Sequence, residues 1–297
     1  MRKIVSSIWL VAILVLVGCT PSKKSDNKPT LTVSIIPQQF FVNQIAGNWL
    51  SVNVMVPPGG SPATYEPTPQ QMMSLSNSQA YFKIGHLSFE DAWMDKLASV
   101  NSTMKIIDTS EGLELISDED IKEEEVHHDH DGHQHRGVNP HIWLSPNLVK
   151  HQAQIILKNL IELYPEHKET MQQNLNNFVT KCDSTQRTLD SLLENAKGSS
   201  FIVYHPVWSY LARDYSLKQI AIEHNGKEAT ADKLKHIIDL AKAENIKVIF
   251  VQKEFSDAQA QTIAREIDGK VVHLNPLAYN WFESMREFGE AFQASSK

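Results

Sequence analysis

Apolar residues in this chain come in short runs that alternate with amphipathic stretches. Residues 31–36, 52–56, 81–84 and 105–108 are brief apolar or β-branched runs bounded by proline, glycine or polar residues, and each predicts a strand. Helical spacing marks residues 38–46, 69–75 and 89–97. The same grammar returns after Gly198, with strands predicted at 201–204, 217–221, 248–251 and 270–274 and helices at 230–243, 257–267 and 281–293. Strands alternating with helices favour mostly parallel sheets flanked by helices, so the pattern predicts an α/β protein of two lobes. Between the lobes, residues 147–195 hold no glycine, and Pro165 is the one strong breaker. This predicts two helices, one ending near Leu163 and one starting near Pro165. The second carries Met171, Leu175, Phe178, Val179, Cys182, Leu189 and Leu192 at mainly three- and four-residue spacings. At 1.5 Å per residue it would run roughly 45 Å, long enough to act as a strut between the lobes.

The first apolar run is of another kind. Met1-Arg2-Lys3 supplies positive charge and residues 8–17 are almost uninterrupted apolar residues, the layout of a secretion signal. The run falls short of the roughly 20 residues needed to span a bilayer core. Leu16-Val17-Gly18-Cys19 resembles the bacterial lipobox, in which cleavage leaves the cysteine as a lipidated N-terminus. Residues 1–18 are therefore expected to be a signal peptide, Cys19 the lipid attachment point, and 19–30, rich in Ser, Lys, Asn and Pro, a flexible tether. The body would then stand outside the cytoplasm, anchored to a bacterial membrane and facing the periplasm or the cell exterior. The expected organisation continues with an N-terminal lobe at 31–146, connecting helices at 147–197 and a C-terminal lobe at 198–297.

Charge and cysteine content narrow the function. Of 28 basic side chains, Arg2 and Lys3 leave with the signal, so 26 remain against 35 acidic ones, a net charge near −9. Such a surface does not invite nucleic acid. Cys182 is the only thiol left after Cys19 is lipidated, which excludes an intramolecular disulfide.

The thirteen histidines fall into two kinds. His127, His128, His130, His133 and His135 lie in an acidic tract, within a loop placed at 123–137, with almost no apolar content. Many alternative ligand sets and no fixed framework suit weak, fast capture of a borderline cation rather than a tight site. His141, in Asn139-Pro140-His141-Ile142-Trp143-Leu144, follows a restricted proline just before the connecting helices. His205, in Tyr204-His205-Pro206-Val207-Trp208, ends the first strand of the second lobe, where ligands of α/β lobes collect. The two are expected to meet at the cleft.

Several stretches, in order, carry a resemblance: residues 56–69 (Val-Pro-Pro-Gly-Gly-Ser-Pro-Ala-Thr-Tyr-Glu-Pro-Thr-Pro), 85–93, 139–146, 204–210, 224–230 and Leu274-Asn275-Pro276-Leu277. Together with the histidine-rich loop before His141, they make the chain similar to the zinc and manganese solute-binding lipoproteins of bacterial ABC importers (cluster A-I, ZnuA and TroA-like). That resemblance implies two α/β lobes joined by one long rigid helix, a metal clamped between them, and delivery to a cognate permease; a metal-loading protein is a candidate further partner that the resemblance does not itself imply. A rigid helix resists wide opening, so release should use small lobe shifts and loop rearrangement.

Carried over residue by residue, the resemblance makes His141 and His205 two of four metal ligands. A further ligand of the family is usually a histidine where this chain has Ala63, which offers no donor. The last is usually aspartate where this chain has Asn275, a neutral carbonyl donor at best. His86, at a strand end near the Ala63 segment, is the expected replacement imidazole. Asn275, Glu66, His224 or water would complete the shell. Neutral imidazoles favour zinc over manganese, so the transported ligand is expected to be Zn²⁺, with manganese or another divalent metal as the alternative. The competing classes are a metal-stabilised adhesin and a zinc-dependent hydrolase. Neither His-Glu-x-x-His nor Gly-x-Ser-x-Gly occurs, and an enzyme is not expected.

Overall fold

The computed structural model describes residues 28–117, 137–223 and 226–295. Cys19, His224 and the five loop histidines lie outside them. The first lobe holds four parallel strands, β1 (Thr30–Val33), β2 (Ser51–Val54), β3 (Ser78–Lys83) and β4 (Lys105–Asp108), in the order β2-β1-β3-β4. The second lobe repeats the arrangement: β5 (Ser200–Val203), β6 (Lys218–Ala221), β7 (Val248–Gln252) and β8 (Lys270–Leu274), ordered β6-β5-β7-β8 and again all parallel. No sequence repeat announces this shared topology. In such sheets the chain reverses direction of winding beside the first strand, which opens a crevice at the carboxyl ends of β1 and β3 and of β5 and β7.

Helices α1 (Ile36–Ala46), α2 (Pro69–Leu75) and α3 (Ser88–Val100) belong to the first lobe, and α4 (Pro146–Leu163) and α5 (Lys168–Leu192) connect the lobes. Helices α6 (Ser209–Tyr215), α7 (Ala231–Ala243), α8 (Ala258–Glu266) and α9 (Trp281–Ser295) belong to the second. The first strand stops at Val33 rather than at 36, because Pro37 sits in the first turn of α1 and helical backbone begins at Ile36. Among the described residues no helix is long and apolar enough to cross a membrane.

The strut expected from the sequence is α5, 25 residues long, or about 37 Å at 1.5 Å per residue. Phe178 on it packs against Phe40 and Phe41 of α1, with ring centroids 6.4 and 5.8 Å away, and against Phe282 of α9 at 5.6 Å. Asn174 Nδ2 also donates to the Ile45 carbonyl at 3.0 Å. On the other side α9 approaches so closely that a Cβ on Gly289 would meet Leu192 at 2.8 Å and Leu189 at 3.0 Å. One core therefore runs from the first sheet through α1, α4, α5 and α9 to one face of the second sheet, whose other face has its own smaller core around Ile202, Ile249 and Ile263. Packing on both lobes is what makes the helix a rigid connector.

Candidate metal centre

His205 comes two residues after β5, where the parallel register fixes its neighbours. Val203 is paired with Ala221 on β6, and the Glu223 N–H donates to the Tyr204 carbonyl at 3.0 Å. Both strands thus carry one residue each to the same edge, His205 and Glu223. The His205 Nδ1 lies 2.7 Å from Glu223 Oε1, and the Glu223 side chain is 3 % exposed. A carboxylate only accepts, so Nδ1 carries the proton and Nε2 keeps a free lone pair. The backbone of His205 is clamped by Gln252 of β7, whose Nε2 donates to the His205 carbonyl at 2.7 Å. Phe255 packs on the imidazole with centroids 5.3 Å apart.

His141 is held differently. Asn139 Oδ1 accepts from the His141 backbone N–H at 3.0 Å and lies 2.8 Å from its Nδ1. The Asn139 Nδ2 donates to Ser209 Oγ at 3.0 Å, so the amide oxygen is the acceptor and again Nε2 is free. The segment around His141 is fastened to the second lobe. The Tyr210 hydroxyl donates to the Asn139 carbonyl at 2.6 Å, the Trp143 indole to the Pro276 carbonyl at 2.9 Å, and the Trp281 indole to the Trp143 carbonyl at 2.6 Å. Burial, and then the neighbouring His205, hold the His141 imidazole well below its ordinary pKa, so it is neutral and ready to coordinate at physiological pH.

The two rings face each other edge to face, with centroids 5.3 Å apart and planes at 75°. Zinc–imidazole bonds of about 2.0–2.1 Å, with the ring centre about 1.1 Å behind the nitrogen, place two imidazole centroids about 5.2 Å apart on a tetrahedral ion. The pair is spaced as two ligands of one metal would be.

The remaining sequence candidates are placed as follows. His86 is exposed, with φ +65°, directly after Gly85 at φ +85°. Its turn is held from beneath by buried Glu90, which accepts the backbone N–H groups of Ile84 at 2.7 Å and Gly85 at 2.8 Å and bonds the Ser34 hydroxyl. Burial pushes the Glu90 carboxyl up to about 7. The Phe89 N–H donates to the Pro62 carbonyl at 3.2 Å, so the His86 turn and the Ala63 loop lie side by side. Ala63 and Glu66 are exposed. Asn275 is partly buried at the end of β8, and its Oδ1 accepts the Leu277 N–H at 3.0 Å. Among the described residues no group of three or more His, Cys, Asp or Glu side chains is drawn together closely enough to hold a metal. His141 and His205 are the pair that the structure brings together. Sequence reasoning missed Asn139, Glu223 and Gln252; the signal for Glu223 is its place two residues past a strand that pairs in register with the strand of His205.

Residues 31–294 match the model of the family described as zinc-uptake complex component A, periplasmic. The chain belongs to the ZnuA family. It is similar to the zinc-binding lipoprotein AdcA of Streptococcus pneumoniae, with 29 % identity over 281 residues, covering 93 % of this chain and 56 % of that protein. It is also similar to the high-affinity zinc uptake system protein ZnuA of Bacillus subtilis, with 27 % identity over 258 residues, covering 84 % of this chain and 79 % of that one. The chain thus spans about half the length of the streptococcal relative. A crystal structure of ZnuA superposes with a TM-score of 0.83 at 38 % identity, covering 91 % of this chain and 99 % of the other. The two-lobed fold read from the sequence is therefore that of the ZnuA family.

Proposed function

We propose that this ZnuA-family chain captures zinc outside the cytoplasm and delivers it to an ABC permease, and that it is a binding protein rather than an enzyme. The observation that carries the reading is the spacing of the His141 and His205 rings, each with Nδ1 tied back and Nε2 free. In the same reading the first lobe adds His86, which replaces the donor absent at Ala63, and Asn275, Glu66, His224 or water completes the shell. The histidines at 127, 128, 130, 133 and 135 feed metal to the cleft, and a lipid on Cys19 holds the protein at the membrane. The zinc-binding and zinc-uptake names of the relatives support zinc as the cargo.

Calorimetric titration with Zn²⁺, with Mn²⁺ as competitor, tests the reading; tight zinc binding that excess Mn²⁺ does not displace is expected, and absence of zinc binding would overturn it. Protons compete with the metal for imidazole nitrogen. Affinity is therefore expected to be lower at pH 5.5 than at pH 7.5, falling through and below the ordinary imidazole pKa of about 6.5. The depressed pKa of His141 moves its share of the loss to the acid end of that range. Equal affinities at the two pH values would contradict a shell dominated by histidine.

His86→Ala is expected to weaken zinc binding at least about 10-fold, roughly 1.4 kcal/mol, while His127→Ala has a much smaller effect. An unchanged high-affinity transition in the folded His86→Ala protein would remove His86 from the shell and leave the His141 and His205 pair standing.

A further inference from the structure

A divalent cation that leaves water for a partly buried site needs negative charge close by. The donors at this cleft supply little. His141 and His205 coordinate as neutral rings, Asn275 is a neutral amide and Ala63 has no donor atom; the carboxylate of Glu66 is exposed, and that of Glu254 acts on His205 through space without a hydrogen bond to it. The two histidines nevertheless differ in what stands behind them. Behind His141 is the amide oxygen of Asn139, also neutral. Behind His205 is a carboxylate, that of Glu223, at 2.7 Å and almost wholly removed from solvent. Its position is built in by the fold, since the paired ends of β5 and β6 deliver the two residues to one edge.

Resting on the zinc reading above, we propose that Glu223 is the positioning and charge-supplying residue of the site. Through the Nδ1–H of His205 it fixes Nε2 as the nitrogen that meets the metal, and it supplies from behind the ring the negative charge that Asn275 does not. A carboxylate acceptor draws the Nδ1 proton toward itself and makes Nε2 the stronger donor. The two imidazoles are then unequal partners, His205 backed by a carboxylate and His141 by a neutral amide. Tightness of zinc binding is set in part by a residue that does not touch the metal.

Glu223→Gln separates the two contributions, because a glutamine oxygen can still accept from Nδ1 but carries no charge, whereas Glu223→Ala removes acceptor and charge together. Zinc affinity is expected to fall about 10- to 100-fold in Glu223→Gln and further in Glu223→Ala, with the circular dichroism of the metal-free proteins unchanged. Cobalt-loaded Glu223→Gln should show visible bands displaced from those of the unsubstituted protein, a change in ligand field that a purely structural role would not produce. Nitrogen NMR of His205 in the unsubstituted zinc-loaded protein provides a check that needs no variant: Nδ1 should keep its proton and Nε2 should carry the metal. Zinc binding within about twofold of the unsubstituted protein in Glu223→Gln, unmoved cobalt bands, or metal on Nδ1 of His205 would each overturn the proposal. If the unsubstituted protein binds zinc tightly and Glu223→Gln does too, only this inference fails; if the unsubstituted protein does not bind zinc, the transport reading fails with it.

Discussion

Replacing either His141 or His205 with alanine is expected to lower zinc affinity by at least about 100-fold, close to 2.7 kcal/mol. The two ring centroids lie 5.3 Å apart and each Nδ1 is tied back, and no other two imidazoles approach each other in this way among the described residues. Loss of one removes half of the pair that the structure brings together, and the water that replaces it is a weaker donor to zinc than imidazole. The two variants should differ in stability. His141→Ala leaves behind Asn139, whose amide retains Ser209 and the Tyr210 hydroxyl still reaches its carbonyl. His205→Ala strands the buried Glu223 carboxylate, which adds a desolvation cost of about 1–3 kcal/mol to the metal-free fold. Titration of both folded variants checks the first expectation, and urea unfolding without metal checks the second. Zinc affinity within threefold of the parent in either variant, about 0.7 kcal/mol, would remove that histidine from the site.

The second large effect is on the fold. Trp143 is 1 % exposed, its indole bonds the Pro276 carbonyl, and its own carbonyl receives the Trp281 indole. This exchange closes the segment carrying His141 onto the second lobe. Trp143→Ala is expected to cost about 3–5 kcal/mol from the lost ring and the cavity, and more from the unpaired Pro276 carbonyl. The melting temperature should fall by roughly 10 °C or more. Trp143→Phe, which keeps most of the ring and loses the donor, should cost about 1–2 kcal/mol. A loss under about 1 kcal/mol in Trp143→Ala would show that the indole exchange does not hold the segment.

Strands and helices were legible because their apolar periods are local, and the single breaker at Pro165 was enough to divide the connecting region into α4 and α5. His141 and His205 were legible because a proline and a strand end restrict them within a few residues. What surrounds them was not. Trp143 meets Pro276 and Trp281 across 133 and 138 residues of sequence, and Glu223 meets His205 through sheet register, a tertiary property that no local pattern encodes. The sequence placed the segment carrying His141 with the first lobe, and no composition signal reveals that its hydrogen bonds run to the second. The identical strand order of the two lobes was hidden for a related reason: apolar runs specify a buried parallel strand without specifying its neighbour.

Anomalous diffraction at the zinc edge, from crystals grown with one equivalent of zinc, tests the central claim most directly. The expected result is one strong peak between the lobes, about 2.0–2.1 Å from Nε2 of both His141 and His205. A zinc peak elsewhere, with neither of these rings as a ligand, would contradict the account.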